Sequence, residues 1–363
     1  MAIQPIVIGA ILTLGEDALP AGTGRYEAAM LAVELVNQRG GVRLPGGDRR
    51  PLELRVFDDD GNPDRAALSL QRLDESGALA VIGPSTPEAV LTSQSEAEAA
   101  QIPLVVLTST GPDTARAGRW TFAVAAPADE ALAAIIDFFT ASGVDRFAWM
   151  APRTLEATAL TRTVRQRAAG AGMQIVGEEA YPPGETEYAE QLARLQTGDP
   201  RVILAWVHDA HEAADIAIDA RTVPGLVPVF FGPVAAAPSM LADAGEAGNG
   251  VRTVTLRLPV ADDLWDHDAL TPVIRDFRRE MQAKTGRMPT AEAAGAWDAV
   301  QVVVQAIEKV GTDRTAVRDA IEATTDHVGA SGLVSFGPRR HAGLDKRAYI
   351  VARGEEQRWR LPP

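Results

Sequence analysis

Ile6-Val7-Ile8-Gly9-Ala10-Ile11, then Arg25–Gln38 (RYEAAMLAVELVNQ), then Leu52–Phe57 (LELRVF) set the pattern for the whole chain. The first and third stretches are short, apolar and rich in β-branched residues, as strands covered on both faces must be. The middle stretch carries apolar residues at helical spacing with charged residues between them. Strand, helix, strand in this order specifies a parallel pair joined by a right-handed crossover.

The same alternation continues outward. Strand-like runs recur at Leu79–Ile82, Leu104–Leu107, Phe147–Met150, Gln174–Val176, Val202–Val207 and Val227–Phe231. Helical stretches lie between them at Asp64–Glu75, Glu88–Ala100, Ala128–Phe139, Ala157–Ala169, Tyr188–Leu195 and Glu212–Ala220. After about residue 250 a strand-like Val251–Leu256 leads into three successive helices, Thr271–Lys284, Ala291–Lys309 and Arg314–Ala323. A closing hairpin is expected from Leu333–Phe336, a turn at Gly337-Pro338, and Ala348–Val351, while Arg43–Arg50 (RLPGGDRR) reads as a surface loop. The expected fold class is α/β: two doubly wound parallel-sheet lobes. At 363 residues the chain exceeds the usual size of one domain.

Composition excludes several classes. The chain has 46% hydrophobic and 23% charged residues, a soluble globular balance. Its net charge of −14 argues against a nucleic-acid surface. It has no cysteine, so disulfides, zinc–thiolate sites and thiol nucleophiles are out. No apolar run reaches the ~20 residues of a spanning helix. Ile6–Leu14 lacks a basic start and reads as a first strand, not a signal peptide.

Chemical motifs are mostly absent. There is no phosphate loop and no GxSxG elbow, and Gly22-Thr23-Gly24 lacks the third glycine of a dinucleotide fingerprint. His208-Asp209-Ala210-His211-Glu212 has the look of a metal cluster. The simpler reading puts His208 in a loop after Val202–Val207, at a pocket mouth, with His211 opening the next helix. His267, His327 and His341 are expected to be solvated. Asp58-Asp59-Asp60-Gly61-Asn62-Pro63 misses the later ligands of a calcium loop and is expected to cap the next helix. No metal and no cofactor is expected.

Two loops carry more. Gly83-Pro84-Ser85-Thr86-Pro87 and Thr108-Ser109-Thr110-Gly111-Pro112 each follow an apolar strand. Each offers hydroxyls and backbone N–H groups where a parallel strand ends and a helix begins, a setting suited to a carboxylate. Either loop alone is ordinarily a helix cap; two from neighbouring strands make a small-anion cradle.

Several blocks together resemble a known family: Ile8-Gly9-Ala10, Leu31–Val42 (LAVELVNQRGGV), Phe57–Pro63, Val81-Ile82-Gly83-Pro84, Ile102-Pro103-Leu104 leading to Thr108–Pro112, then Gly232-Pro233 and Trp297-Asp298-Ala299-Val300. In order and end to end, the chain resembles the branched-chain amino-acid (Leu/Ile/Val) receptors, type I periplasmic solute-binding proteins of ABC importers. The resemblance implies three crossings between lobes, with lobe one at 1–121 plus 252–330 and lobe two at 122–251 plus 331–363. It implies a non-enzymatic, monomeric receptor in the periplasm or another extracytoplasmic space, its leader removed, serving a membrane permease. A sensing module of the same fold, reporting closure to a partner protein, is the alternative. It also implies that Ser85, Thr86, Ser109 and Thr110 hold a ligand carboxylate, with Leu19, Leu155, Trp206, His208 and Val234 completing the site.

The chain departs from that family at the ammonium side. Val234 stands where an acid is common and Leu155 where a tyrosine is common, while Trp206 offers a flat surface. A buried ammonium without a counter-charge costs several kcal/mol. The expected ligand class is a small carboxylate-bearing molecule, an amino acid or an apolar or aromatic acid, and these departures favour a carboxylate or amide with an apolar or aromatic body over a zwitterionic branched-chain amino acid.

Overall fold

The computed structural model describes residues 3–15, 21–108 and 118–362. The chain runs through β1 (Ile6–Leu12), α1 (Ala21–Gln38), β2 (Val42–Arg43), β3 (Arg49–Arg50), β4 (Leu52–Asp58), α2 (Pro63–Glu75), β5 (Val81–Ile82), α3 (Pro87–Ala100), β6 (Leu104–Val106) and β7 (Thr121–Ala123). It continues with α4 (Ala128–Ala141), β8 (Arg146–Pro152), α5 (Leu155–Gly170), β9 (Gln174–Tyr181), α6 (Ala189–Gln196), β10 (Ile203–Ala205), α7 (Ala210–Ala220), β11 (Val229–Phe231), α8 (Pro238–Ala244) and β12 (Arg252–Leu256). Last come α9 (Leu270–Thr285), α10 (Ala291–Val310), α11 (Arg314–Glu322), β13 (His327–Val328), β14 (Leu333–Val334), β15 (Tyr349–Glu355) and β16 (Arg358–Arg360). No helix among the described residues is long and apolar enough to cross a membrane.

Two compact units result: Met1–Pro127 with Asp266–Ala348, and Ala128–Trp265 with Tyr349–Pro363. The first holds a parallel sheet of order β4-β1-β5-β6-β7. Its core joins Ile11, Val81, Leu104 and Val106 to Leu70 and Leu73 of α2 and to Ala89, Val90 and Ala97 of α3. The second holds a sheet of order β16-β15-β12-β11-β10-β8-β9, parallel from β12 to β9 and antiparallel at β15 and β16. Its core is aromatic, built on Phe139, Phe147, Trp149, Trp206 and Phe230.

The unit boundaries differ from the sequence expectation in two places. Residues 252–265 lie in the second unit, because β12 hydrogen-bonds both β11 and β15. Residues 331–348 lie in the first. There Asp298 holds Ser331, the Ala123 N–H donates to the His341 carbonyl at 2.8 Å, and the Gly343 N–H donates to the Ala123 carbonyl at 2.8 Å.

The terminal hairpin also lies elsewhere. β15 pairs with β16 around Glu356 and Gln357, both at positive φ, whereas Leu333–Val334 pairs back onto His327–Val328. Arg43–Arg50 is more than a loop, since Val42–Arg43 and Arg49–Arg50 form a small antiparallel ribbon. Two histidines expected in solvent have partners. His341 is buried between the Thr121 carbonyl and the Glu322 carboxylate, and Nδ1 of His327 meets Gln305 at 3.0 Å.

Candidate functional site

In the first unit the register aligns Leu12 with Asp58, Ala10 with Ile82, and Ile82 with Val105. The loops after β1, β4, β5 and β6 therefore leave the sheet at one edge, the carboxyl edge where open α/β sheets bind ligands. Gly83 makes the turn out of β5. Its φ is 85°, and a Cβ there would stand 2.0 Å from the Ile11 carbonyl oxygen, so only glycine lets the chain pass so close to β1. The next residues, Ser85 and Thr86, are thereby delivered beside the end of β1.

Ser85 is buried, and its hydroxyl lies 3.4 Å from that of Thr13. Thr86 is the N-cap residue of α3 but makes no capping hydrogen bond. Its Oγ1 is buried and unpartnered. Elsewhere the polar N-cap side chains do cap: Asn62 on α2, Thr154 on α5, Asp209 on α7, Thr290 on α10 and Asp313 on α11 all accept from first-turn N–H groups. Thr86 thus holds a hydroxyl in reserve at a helix N-terminus, next to a second buried hydroxyl. Such a corner suits an anion, with the helix dipole, free N–H groups and hydroxyl donors acting together. Ser109, Thr110 and Leu19 lie outside the described residues.

The acidic loop after β4 works differently from its expected capping role. The cap of α2 is Asn62, which accepts from Asp64 and Arg65 at 2.9 and 3.1 Å. Asp58 instead accepts the Leu14 N–H at 3.0 Å, and Asp59 accepts the Thr13 hydroxyl at 2.7 Å. The loop therefore ties down the segment leaving β1. Among the described residues no cluster of three His, Cys, Asp or Glu could hold a metal ion.

At the carboxyl edge of the second sheet, Leu155 opens α5 and is 93% exposed, and Val234 lies in the turn after β11 with 43% exposure. Both present apolar surface to solvent. Trp206 does not: it is 6% exposed, packs near Trp149 with ring centroids 6.3 Å apart, and covers Gly232, where a Cβ would meet the indole at 2.9 Å. It is a core residue with little ring face left for stacking.

His208 is exposed, and its N–H donates to Oε2 of Glu212 at 2.5 Å. Asp209 in turn accepts the Glu212 N–H at 2.9 Å. This is a reciprocal cap of the S/T/D-x-x-E kind, shifted so that the glutamate reaches the residue before the N-cap. Burial raises the Glu212 carboxyl above its usual range, against the pull of the His208 N–H and Tyr181. His211 points elsewhere, pairing with Asp243 of α8 at 2.6 Å.

Thr13 escaped sequence reading, while Asp59 and Glu212 were read only as parts of a capping loop and of a metal-like cluster. The role of Glu212 had a signal in the Asp209-x-x-Glu212 spacing. The Thr13–Asp59 contact had none, its partners being 46 positions apart and joined only by the β1–β4 pairing.

A sequence profile described as periplasmic binding protein matches residues 5–356. No curated protein matches the chain in sequence. Among solved structures it is similar to an extracellular ligand-binding receptor from Rhodopseudomonas palustris HaA2, at 20% identity and a TM-score of 0.79 over 99% of this chain and 100% of that one. It is similar to a leucine binding protein from Thermotoga maritima MSB8, at 22% identity and 0.77 over 99% and 98%. It is also similar to a branched-chain amino acid transporter substrate binding protein from Streptococcus pneumoniae, solved in complex with isoleucine, at 19% identity and 0.78 over 98% of each chain. At such identities the structural likeness speaks for the fold, which is that of the type I periplasmic binding proteins. With a profile match spanning almost its whole length, the chain belongs to the periplasmic binding protein family.

Proposed function

We propose that the protein is the extracytoplasmic solute receptor of an ABC importer. It captures a small carboxylate-bearing ligand with an apolar body, closes its two units on it, and presents it to a membrane permease. Closure follows if the ligand gains contacts only in the closed state, because its differential affinity then shifts the equilibrium. The carrying observation is the buried, unpartnered hydroxyl of Thr86 beside Ser85 at the N-terminus of α3. The exposed apolar side chains of Leu155 and Val234 suit the ligand's body.

Titration calorimetry against a panel of small amino, hydroxy and unsubstituted acids tests this reading. A charge-assisted hydrogen bond is worth ~1.5–3 kcal/mol, so Ser85→Ala and Thr86→Ala should each weaken the best ligand roughly 10- to 150-fold. Unchanged affinity in both variants would remove the carboxylate cradle.

A further inference from the structure

Arg25 stands just past the first turn of α1, in the first unit, and its Nε is buried without a hydrogen-bond partner. Among the described residues it closes no ion pair. Burial lowers its guanidinium below the ordinary range, against the pull of Glu292 on α10. Glu27, two residues on, is committed to Arg287 at 2.6 Å. The helices around Arg25 add charge of the same sign. A Cβ on Gly24 would stand 3.8 Å from Oγ1 of Thr290, the N-cap of α10, and 3.7 Å from Cβ of Ala293 in its first turn. The positive ends of α1 and α10 therefore lie together beside this cation, where an anion, not an arginine, is the favoured charge. A buried charge without a counter-ion is costly, so the arrangement is complete only when an anion joins it. The place is also right for a ligand. α1 leaves β1 at the carboxyl edge of the first sheet, the edge that carries Ser85 and Thr86. α10 begins at the same edge, since a Cβ on Gly295 would meet the carbonyl oxygen of Val124, just past β7, at 3.2 Å.

We propose that Arg25 is a specificity-determining residue that pairs with a second anionic group of the solute, so that the preferred ligand is a dicarboxylate rather than a monocarboxylate. One carboxylate takes Ser85, Thr86 and the N-terminus of α3. The other takes the guanidinium of Arg25, whose paired N–H donors match the two oxygens of a carboxylate, between the starts of α1 and α10. Glu292 attracts Arg25 in the ligand-free protein and competes with that second carboxylate. This rests on the carboxylate-cradle reading and adds a second charge to it.

The test is calorimetry on matched pairs: glutarate with pentanoate, adipate with hexanoate, and terephthalate with benzoate. In wild type at least one diacid should bind more tightly than its monoacid by about tenfold or more, the worth of one charge-assisted hydrogen bond. Arg25→Gln should bring that diacid down to the level of its monoacid and leave the monoacid's own affinity unchanged. Glu292→Gln removes the competing acid and should tighten the diacid alone, which keeps the proposal testable if Arg25→Gln folds poorly. Because the cation lacks partners without ligand, Arg25→Gln should melt no lower than wild type. A merely structural arginine would lower the melting temperature and both affinities together. Wild type that binds no diacid more tightly than its monoacid, or a diacid preference that survives Arg25→Gln, overturns the proposal. A Ser85→Ala, Thr86→Ala double variant separates the two levels. Loss of both probes there, with no effect of Arg25→Gln, removes the second anion and leaves the cradle. A diacid preference that depends on Arg25 but not on the two hydroxyls removes the cradle.

Discussion

Asp298, fully buried on α10, accepts the Ala330 N–H at 2.7 Å, the Ser331 N–H at 2.8 Å and the Ser331 hydroxyl. It pins the chain after β13, where Gly329 lies so close that a Cβ would stand 2.4 Å from the carboxylate. Burial outweighs these donors and pushes the Asp298 carboxyl up to about 6. The folded state then binds the proton more tightly than the unfolded chain does. Asp298 therefore contributes stability that is full below about pH 4 and is lost as pH rises to about 6, on the order of 3 kcal/mol. In urea unfolding, the stability of wild type relative to Asp298→Asn should fall across that window. A difference flat from pH 4 to 6 would contradict this account. The Trp297-Asp298-Ala299-Val300 block was visible in sequence as part of a resemblance; its partner loop was not. Trp206 shows the opposite limit, since an indole at a strand end reads equally as a pocket wall or as core, and packing against Gly232 and Trp149 made it core.

Helices and strands were legible where pattern and length agree, as in α1, α2, α9 and α10, whose ends fall within a few residues of the apolar periodicity. The terminal hairpin was not, because Leu333–Phe336 and Tyr349–Glu355 are both strand-like and only pairing with β12 decides between them. Cap chemistry is a finer test at this level. Asn62 and Thr86 both precede a proline-initiated helix, yet only Asn62 caps its helix through its side chain. Asn62→Ala should cost about 1 kcal/mol of stability in the ligand-free protein, whereas Thr86→Ala should cost little. Equal losses by chemical denaturation would mean that Thr86 supports the helix rather than holding a hydroxyl for a ligand.

For the whole chain, the alternation of strands and helices was enough to give two α/β lobes, and three passages between units follow from the contacts. The exact passages were not readable, because 252–265 and 331–348 are assigned by long-range pairing rather than local pattern. The site was half legible: Ser85 and Thr86 stand in a recognisable strand-to-helix loop, while the Asp59–Thr13 support exists only once β1 and β4 lie side by side. Receptor function turns on whether the cradle on α3 holds an acid. Native mass spectrometry of the freshly purified protein addresses this whatever the ligand's identity. Wild type should retain an adduct whose released mass and fragmentation identify a small carboxylic acid, and a Ser85→Ala, Thr86→Ala double variant should lose it. The same adduct at the same occupancy in the double variant, or an adduct with no acid group, would contradict the cradle as the centre of this protein's function.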